Sequence, residues 1–185
     1  MSGIHACASI MLVRALTADD ALSFRALRLA ALEDSPSTFA SDHDDERNRA
    51  SDDIAGWLTL TDRQAVFGAF EDGQLIGVAG VRRDVFRGHR HKAHLWGVCV
   101  APGNRGAGVG SKVLTEALGF AKNMPGVTHV HLTVASTNVN AIRLYRSLGF
   151  EEIGRESGSI FDDDATDDAT HDELHLCLAL RPSRA

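Results

Sequence analysis

The chain has 185 residues, enough for one domain with its own apolar core. With 44% hydrophobic and 24% charged residues the composition is that of an ordinary globular protein, and a net charge of −6 argues against a nucleic-acid binder, which needs a basic face. The three cysteines, Cys7, Cys99 and Cys177, are odd in number and far apart, so no secreted disulfide framework is expected and a reducing cytoplasm fits best.

Residues 1–9 are small and polar and read as a flexible leader, with a single domain expected over 10–182. The start lacks the layout of a cleavable signal, and no apolar run approaches the roughly 18 residues of a membrane span. "IMLVRAL" is rich in strand formers and predicts a first strand. "TADDALSFRALRLAALEDS" predicts a helix with Thr17 as N-cap and an apolar face of Ala21, Phe24, Leu27, Ala31 and Leu32. The polar segment that follows predicts a loop, and "DDIAGWLTL" a short helix ending near Leu60. "QAVFGAFE" and "QLIGVAGVRR" around Asp72-Gly73 predict a hairpin.

"RGHRHKAHLWGVCVAP" predicts a loop running into a strand that Pro102 closes. Val109, Val113, Leu114, Ala117, Leu118 and Ala121 make a helical face stopped by Pro125 and Gly126. "VTHVHLTVA" alternates as a strand, "VNAIRLYRSLGF" predicts a short helix ended by Gly149, and "EEIGRE" and "ELHLCLAL" predict two last strands. The order is β-α-α-β-β-β-α-β-α-β-β, a mixed α/β fold. Its largely antiparallel central sheet carries one parallel β-α-β crossover, expected to be right-handed, with helices on both faces.

Between the third expected helix and the strand before it lies "VAPGNRGAGVGSKVL". Glycines there let backbone amides turn toward a ligand just before a helix N-terminus, and Arg105 adds a charged donor, so a phosphate cradle is expected. A P-loop would need Gly-Lys-Ser/Thr, whereas the order is Gly110-Ser111-Lys112. A dinucleotide fingerprint would need a third glycine at 111 and an acidic residue closing the next strand, and both are missing.

The loop resembles the acetyl-CoA pyrophosphate loop of the GNAT superfamily (Gcn5-related N-acetyltransferases), whose Arg/Gln-x-x-Gly-x-Gly/Ala pattern is filled by Arg105, Gly108 and Gly110. "NVNAIRLYRSLGF" is similar to that family's second signature, matched by Asn138, Ala141, Tyr145, Gly149 and Phe150. The resemblance runs from about Leu12 to Leu180. It implies an acetyl-CoA-dependent N-acetyltransferase acting by direct transfer to a primary amine. By the same resemblance, the backbone of Val98, Cys99 and Val100 would carry the pantetheine arm. Arg105, Gly106, Ala107, Gly108, Val109, Gly110 and Ser111 would hold the pyrophosphate, and Asn138 would be a further polar contact. The strand at 127–135 would splay from its neighbour to leave a slot for the thioester. Tyr145, the chain's only tyrosine, would face the sulfur as general acid, a role open to a phenol of ordinary pKa near 10.

The proton acceptor for the incoming ammonium stays open among Asp45, Glu46, His94, Glu173 and His175. The histidines of "HRHKAH", "HVH" and "HDELH" read as surface residues, and no metal is expected. The acidic "DDDATDDATHDE" reads as a solvated loop, with attraction of a cationic acceptor as its functional alternative. The acceptor is read as a small molecule in preference to a peptide, with no membrane or nucleic-acid partner. Relatives of this kind often pair as dimers. Two rivals remain: an acyl-CoA-binding sensor without catalysis, and a nucleotide-binding protein.

Overall fold

The computed structural model describes residues 10–34, 47–161 and 170–180. The expected leader, Asp45, Glu46 and most of the acidic stretch at 162–173 lie outside them. The strands are β1 (Leu12–Ala15), β2 (Gln64–Glu71), β3 (Gln74–Arg83), β4 (Lys92–Val100), β5 (His129–Ala135), β6 (Glu151–Phe161) and β7 (Thr170–Ala179). The helices are α1 (Ala21–Asp34), α2 (Ser51–Leu58), α3 (Val109–Asn123) and α4 (Val139–Ser147). Among the described residues no helix is long and apolar enough to cross a membrane.

One seven-stranded sheet runs β1-β2-β3-β4-β5-β7-β6, antiparallel throughout except where β4 meets β5. The β2–β3 hairpin turns at Asp72 and Gly73, both at positive φ (49° and 81°), as a two-residue Asp-Gly connection requires. Thr17 caps a 3₁₀ turn, Ala18–Asp20, that precedes α1, so the first helix starts later than the sequence suggests. The Thr17 N–H donates to the Asp20 carboxylate at 2.9 Å, and Arg14 grips the same carboxylate at 2.7 and 2.8 Å.

Helices cover both faces. Phe24, Leu27, Ala31, Ile54 and Leu58 of α1 and α2 pack on Val66, Leu75, Val78 and Cys99. On the other face Val109, Val113, Leu114, Ala117 and Ala121 of α3, with Ile142 and Tyr145 of α4, cover Ala65, Ala79, Ala93, Leu95 and Val130. A helix of 15 residues is marginal alone in water, so α3 is held by that buried face, each Val or Leu contributing about 1.5–3 kcal/mol.

At the paired end of β4 and β5, Lys92 lies opposite His129 and His94 opposite His131, which brings four imidazoles together. His94 and His131 stack at 5.8 Å, His129 and His131 at 6.4 Å, and His91 and His129 at 6.1 Å. Burial, then Lys92 and the neighbouring imidazoles, push His131 from the ordinary 6.5 down to about 4. The folded chain therefore refuses a proton that the unfolded chain accepts, so stability falls as pH drops from about 6.5 toward 4 and levels below that. Thermal melts across this window should show a falling Tm, and His131→Gln should flatten the slope. An unchanged slope in that variant would place the acid sensitivity elsewhere.

Candidate active site

β4 and β5 pair only from Lys92 to His94 and from His129 to His131. Beyond that point the two strands part, and from Leu95 onward β4 has no ladder partner on its β5 side. A cavity of about 980 Å³ fills the gap, walled by Val98, Cys99 and Val100 on one strand and Leu132, Thr133 and Val134 on the other. The β3–β4 register skips between Val78↔Cys99 and Gly80↔Trp96, leaving Gly97 and Val98 to face Ala79 alone. This bulge, with Gly97 at φ 62°, lies on the cavity wall.

The glycine loop forms one end of the cavity. Ala101 N–H donates to Ile76 O at 2.8 Å, and Asn104 Nδ2 to Glu71 at 3.1 Å, so both ends of the 3₁₀ turn Pro102–Asn104 are pinned to the β2–β3 hairpin. Gly106 (φ 77°) and Gly108 (φ 80°) sit in the left-handed region. A Cβ on either would meet nothing within 4 Å, so these glycines answer to backbone conformation and open space, not to packing. Among the described residues the N–H groups of Gly106 through Ser111 make no hydrogen bond to a protein acceptor. Six adjacent donors at the N-terminus of a 15-residue helix are an anion cradle. Gly110 also serves packing, because a Cβ there would come 3.0 Å from Leu144 Cδ2, and its absence lets α4 approach α3. Arg105 Nη1 donates to Asp34 at 2.6 Å and its Nε to Val100 O at 3.3 Å, tying the loop to the last turn of α1.

The other end is governed by α4, and both of its termini are capped. Asn138 Oδ1 accepts from Ala141 N–H at 3.2 Å, the N-cap bond. At the far end Gly149 (φ 94°) donates to Arg146 O at 3.0 Å and Phe150 to Tyr145 O at 3.1 Å, the paired bonds of a Schellman motif. The apolar contact that accompanies such a motif is the Tyr145–Phe150 ring pair, edge to face at 5.9 Å. The Asn-to-Phe spacing thus fixes the length and both ends of the helix that carries Tyr145. Tyr145 is 6% exposed and lines the cavity. Burial, with a smaller contribution from Cys99, pushes its phenol well above the ordinary value, so it stays a proton donor.

The expected cofactor residues all lie on the cavity wall except Ala107. Of the open proton-acceptor candidates, Glu173 is on that wall, the one carboxylate among its described residues. It lies opposite Ala135 on β5 and Glu156 on β6. His175 Nε2 stands 3.7 Å from the Glu156 carboxylate, and ligand atoms of Glu156, Glu173 and His175 fall within 4.8 Å of one another. His94 is off the wall: it belongs to the paired stretch of β4, and its Nε2 bonds Asp84 Oδ2 at 3.2 Å.

Arg28, 6% exposed, also lines the cavity and was not singled out in the sequence. Its signal was available: it sits four residues after Phe24 and one after Leu27, a charge inside the buried stripe of α1.

The model for the acetyltransferase (GNAT) family matches residues 26–150. The chain belongs to this family. A curated relative, the N-alpha-acetyltransferase RimI of Mycobacterium tuberculosis, is 38% identical over 87 residues, 47% of this chain and 52% of that protein. The chain spans about half or less of the length of the curated relatives it matches. A GNAT-family acetyltransferase structure from Streptococcus pneumoniae superposes with a TM-score of 0.80 at 23% identity, covering 93% of this chain and 100% of that one. The yncA acetyltransferase of Salmonella typhimurium, solved with acetyl-CoA, gives 0.78 at 22% identity, covering 96% and 98%. The solved neighbours share its fold.

Proposed function

We propose that this member of the GNAT family moves an acetyl group from acetyl-CoA to a primary amine within a ternary complex. The observation that carries the reading is the opening between β4 and β5, with an anion cradle at one end and a buried phenol along the same wall. The open amides of Gly106 to Ser111 suit a diphosphate, and the unpaired edge of β4 from Val98 to Val100 suits the amides of the pantetheine arm. Arg105 lies beside the cradle, its charge shared with Asp34. Asn138 spends its Oδ1 on the helix cap, so a contact with the arm falls to its Nδ2.

Bound there, acetyl-CoA supplies an activated carbonyl and a thiol leaving group. The amine lone pair attacks the carbonyl carbon, the C–N bond forms, the C–S bond breaks, and one proton passes from nitrogen to the departing sulfur. Backbone N–H groups along the β4 bulge polarise the carbonyl. Tyr145 donates a hydrogen bond to the sulfur as charge gathers on it. In this reading Glu173, which lines the cavity, takes the ammonium proton first.

The test is release of free coenzyme A thiol from acetyl-CoA across a panel of amino acids, aminoglycosides, polyamines and lysine peptides. Release with one amine class supports the reading. Tight ATP binding with no affinity for acetyl-CoA would overturn it.

A further inference from the structure

A second, smaller pocket of about 250 Å³ adjoins the main cavity, sharing with it Arg28, Trp96 and Gly97. It lies under α1 and α2, and three arginines, Arg28, Arg49 and Arg82, are among its lining residues. Trp57 and Trp96 close the rest, edge to face at 5.6 Å. No carboxylate lines it among the described residues. Asp84, two residues along the chain from Arg82, is engaged by His94 at 3.2 Å and faces His89 at 3.6 Å.

The pocket is built, not incidental. Gln64 Nε2 donates to the carbonyls of Gly56 and Trp57 at 2.9 and 3.1 Å, fixing the end of α2 that carries Trp57. Arg25 on α1 donates to the carbonyl of Arg49, holding that residue's backbone. The Arg49 guanidinium then lies 4.5 Å over the Trp57 ring, with its Nε buried and without a hydrogen-bond partner among the described residues. Trp96 Nε1 is a second buried donor in the same condition. Its ring is held flat against β3, because Gly80 leaves no side chain in the way. Buried donors such as Arg49 Nε and Trp96 Nε1 are costly unless a ligand completes them. On a chain of net charge −6, three arginines around one small pocket stand against the overall charge.

We infer that this pocket holds an anionic group of the acceptor, so that the amine substrate is one bearing a carboxylate or phosphate a few bonds from its nitrogen. The inference rests on the acetyl-transfer reading for the amine end. The shared wall at Trp96 and Gly97 is the bulge of β4, so an anion seated among the arginines would leave its amine facing the opening between β4 and β5. Guanidinium forks match the paired oxygens of either anion. The volume admits a small headgroup, which excludes a polycation on charge and a long peptide on size.

Both tryptophans of the chain line the pocket, so intrinsic fluorescence reports its occupancy without any turnover. The experiment titrates paired probes into the full chain: alanine against alaninamide, and phosphoethanolamine against ethanolamine, with spermidine as the cationic control. Coenzyme A release is followed in parallel. Saturable fluorescence change and release are expected with the anionic member of one pair, and which pair responds separates carboxylate from phosphate. Arg49→Gln and Arg82→Gln should each raise KM for that amine about tenfold to hundredfold, with KM for acetyl-CoA unchanged. Release with the neutral amines or spermidine, and no fluorescence response to the anionic ones, would overturn the anion pocket while leaving the transferase reading intact. A fluorescence response without release from any amine would do the reverse. Silence from every anionic probe in both assays would overturn the pocket.

Discussion

Replacing Tyr145 by Phe should lower kcat by about 10²–10⁴-fold, the usual range for losing a positioned general acid, with KM for acetyl-CoA little changed. The variant isolates the hydroxyl because the ring has its own structural work. It packs edge to face on Phe150 at the Schellman cap, and Phe preserves that contact. Among the described residues no hydrogen bond reaches the phenol oxygen, so removing it orphans no protein partner and Tm should hold. The raised pKa refines how the group works. A thiolate, whose acid titrates near 8.5, is a weaker base than this phenolate, so complete transfer from tyrosine to sulfur runs uphill. In the proposed reaction the phenol would stabilise the growing charge by sharing its proton, and the proton lost by nitrogen would complete the thiol. It follows that Tyr145 contributes no alkaline limb to kcat below about pH 10. An unchanged kcat in the Phe variant would reduce Tyr145 to a packing residue of α4.

What the sequence could disclose was governed by range along the chain. The Asp72-Gly73 turn, the α3 stop at Pro125 and Gly126, and the end of α4 at Gly149 all depend on residues within a few positions of one another, and each was legible. The glycine loop was legible for the same reason, since Gly106, Gly108 and the helix start they precede are contiguous. His94 shows where such reading stops. Its candidacy depended on how far β4 and β5 stay paired, and that is set by the bulge at Gly97 and by packing on two faces, not by any local pattern. The arginine pocket draws Arg28 from α1, Arg49 from just before α2 and Arg82 from β3, three segments with no shared motif. Glu156 met Glu173 and His175 through a β6–β7 register broken by two irregularities, which no count of alternating residues would recover. The tie of Arg105 to Asp34, 71 residues earlier, was not foreseeable.

Gly108→Glu should abolish measurable acetyl-CoA binding while leaving the domain folded, and Gly108→Ala is the control that gives the result its meaning. Both variants force a residue with a Cβ to hold φ near 80°, at a cost of about 1–2 kcal/mol. For a domain of this length that is a Tm loss of roughly 2–8 °C. Neither side chain collides with anything, since the space beyond Gly108 is open. The two differ in charge. A carboxylate at the N-cap of α3 is favoured by the helix dipole and by the unengaged amides after it, so the Glu variant should melt no lower than the Ala variant. The same carboxylate occupies the donors a diphosphate needs and repels its charge. Stability and affinity should therefore move in opposite directions between the two substitutions: Ala the weaker fold with the better binding, Glu the firmer fold with none. Thermal melts and acetyl-CoA titrations on the pair decide it. Equal affinity in both would mean that the amides of Gly106 to Ser111 are not where the pyrophosphate rests.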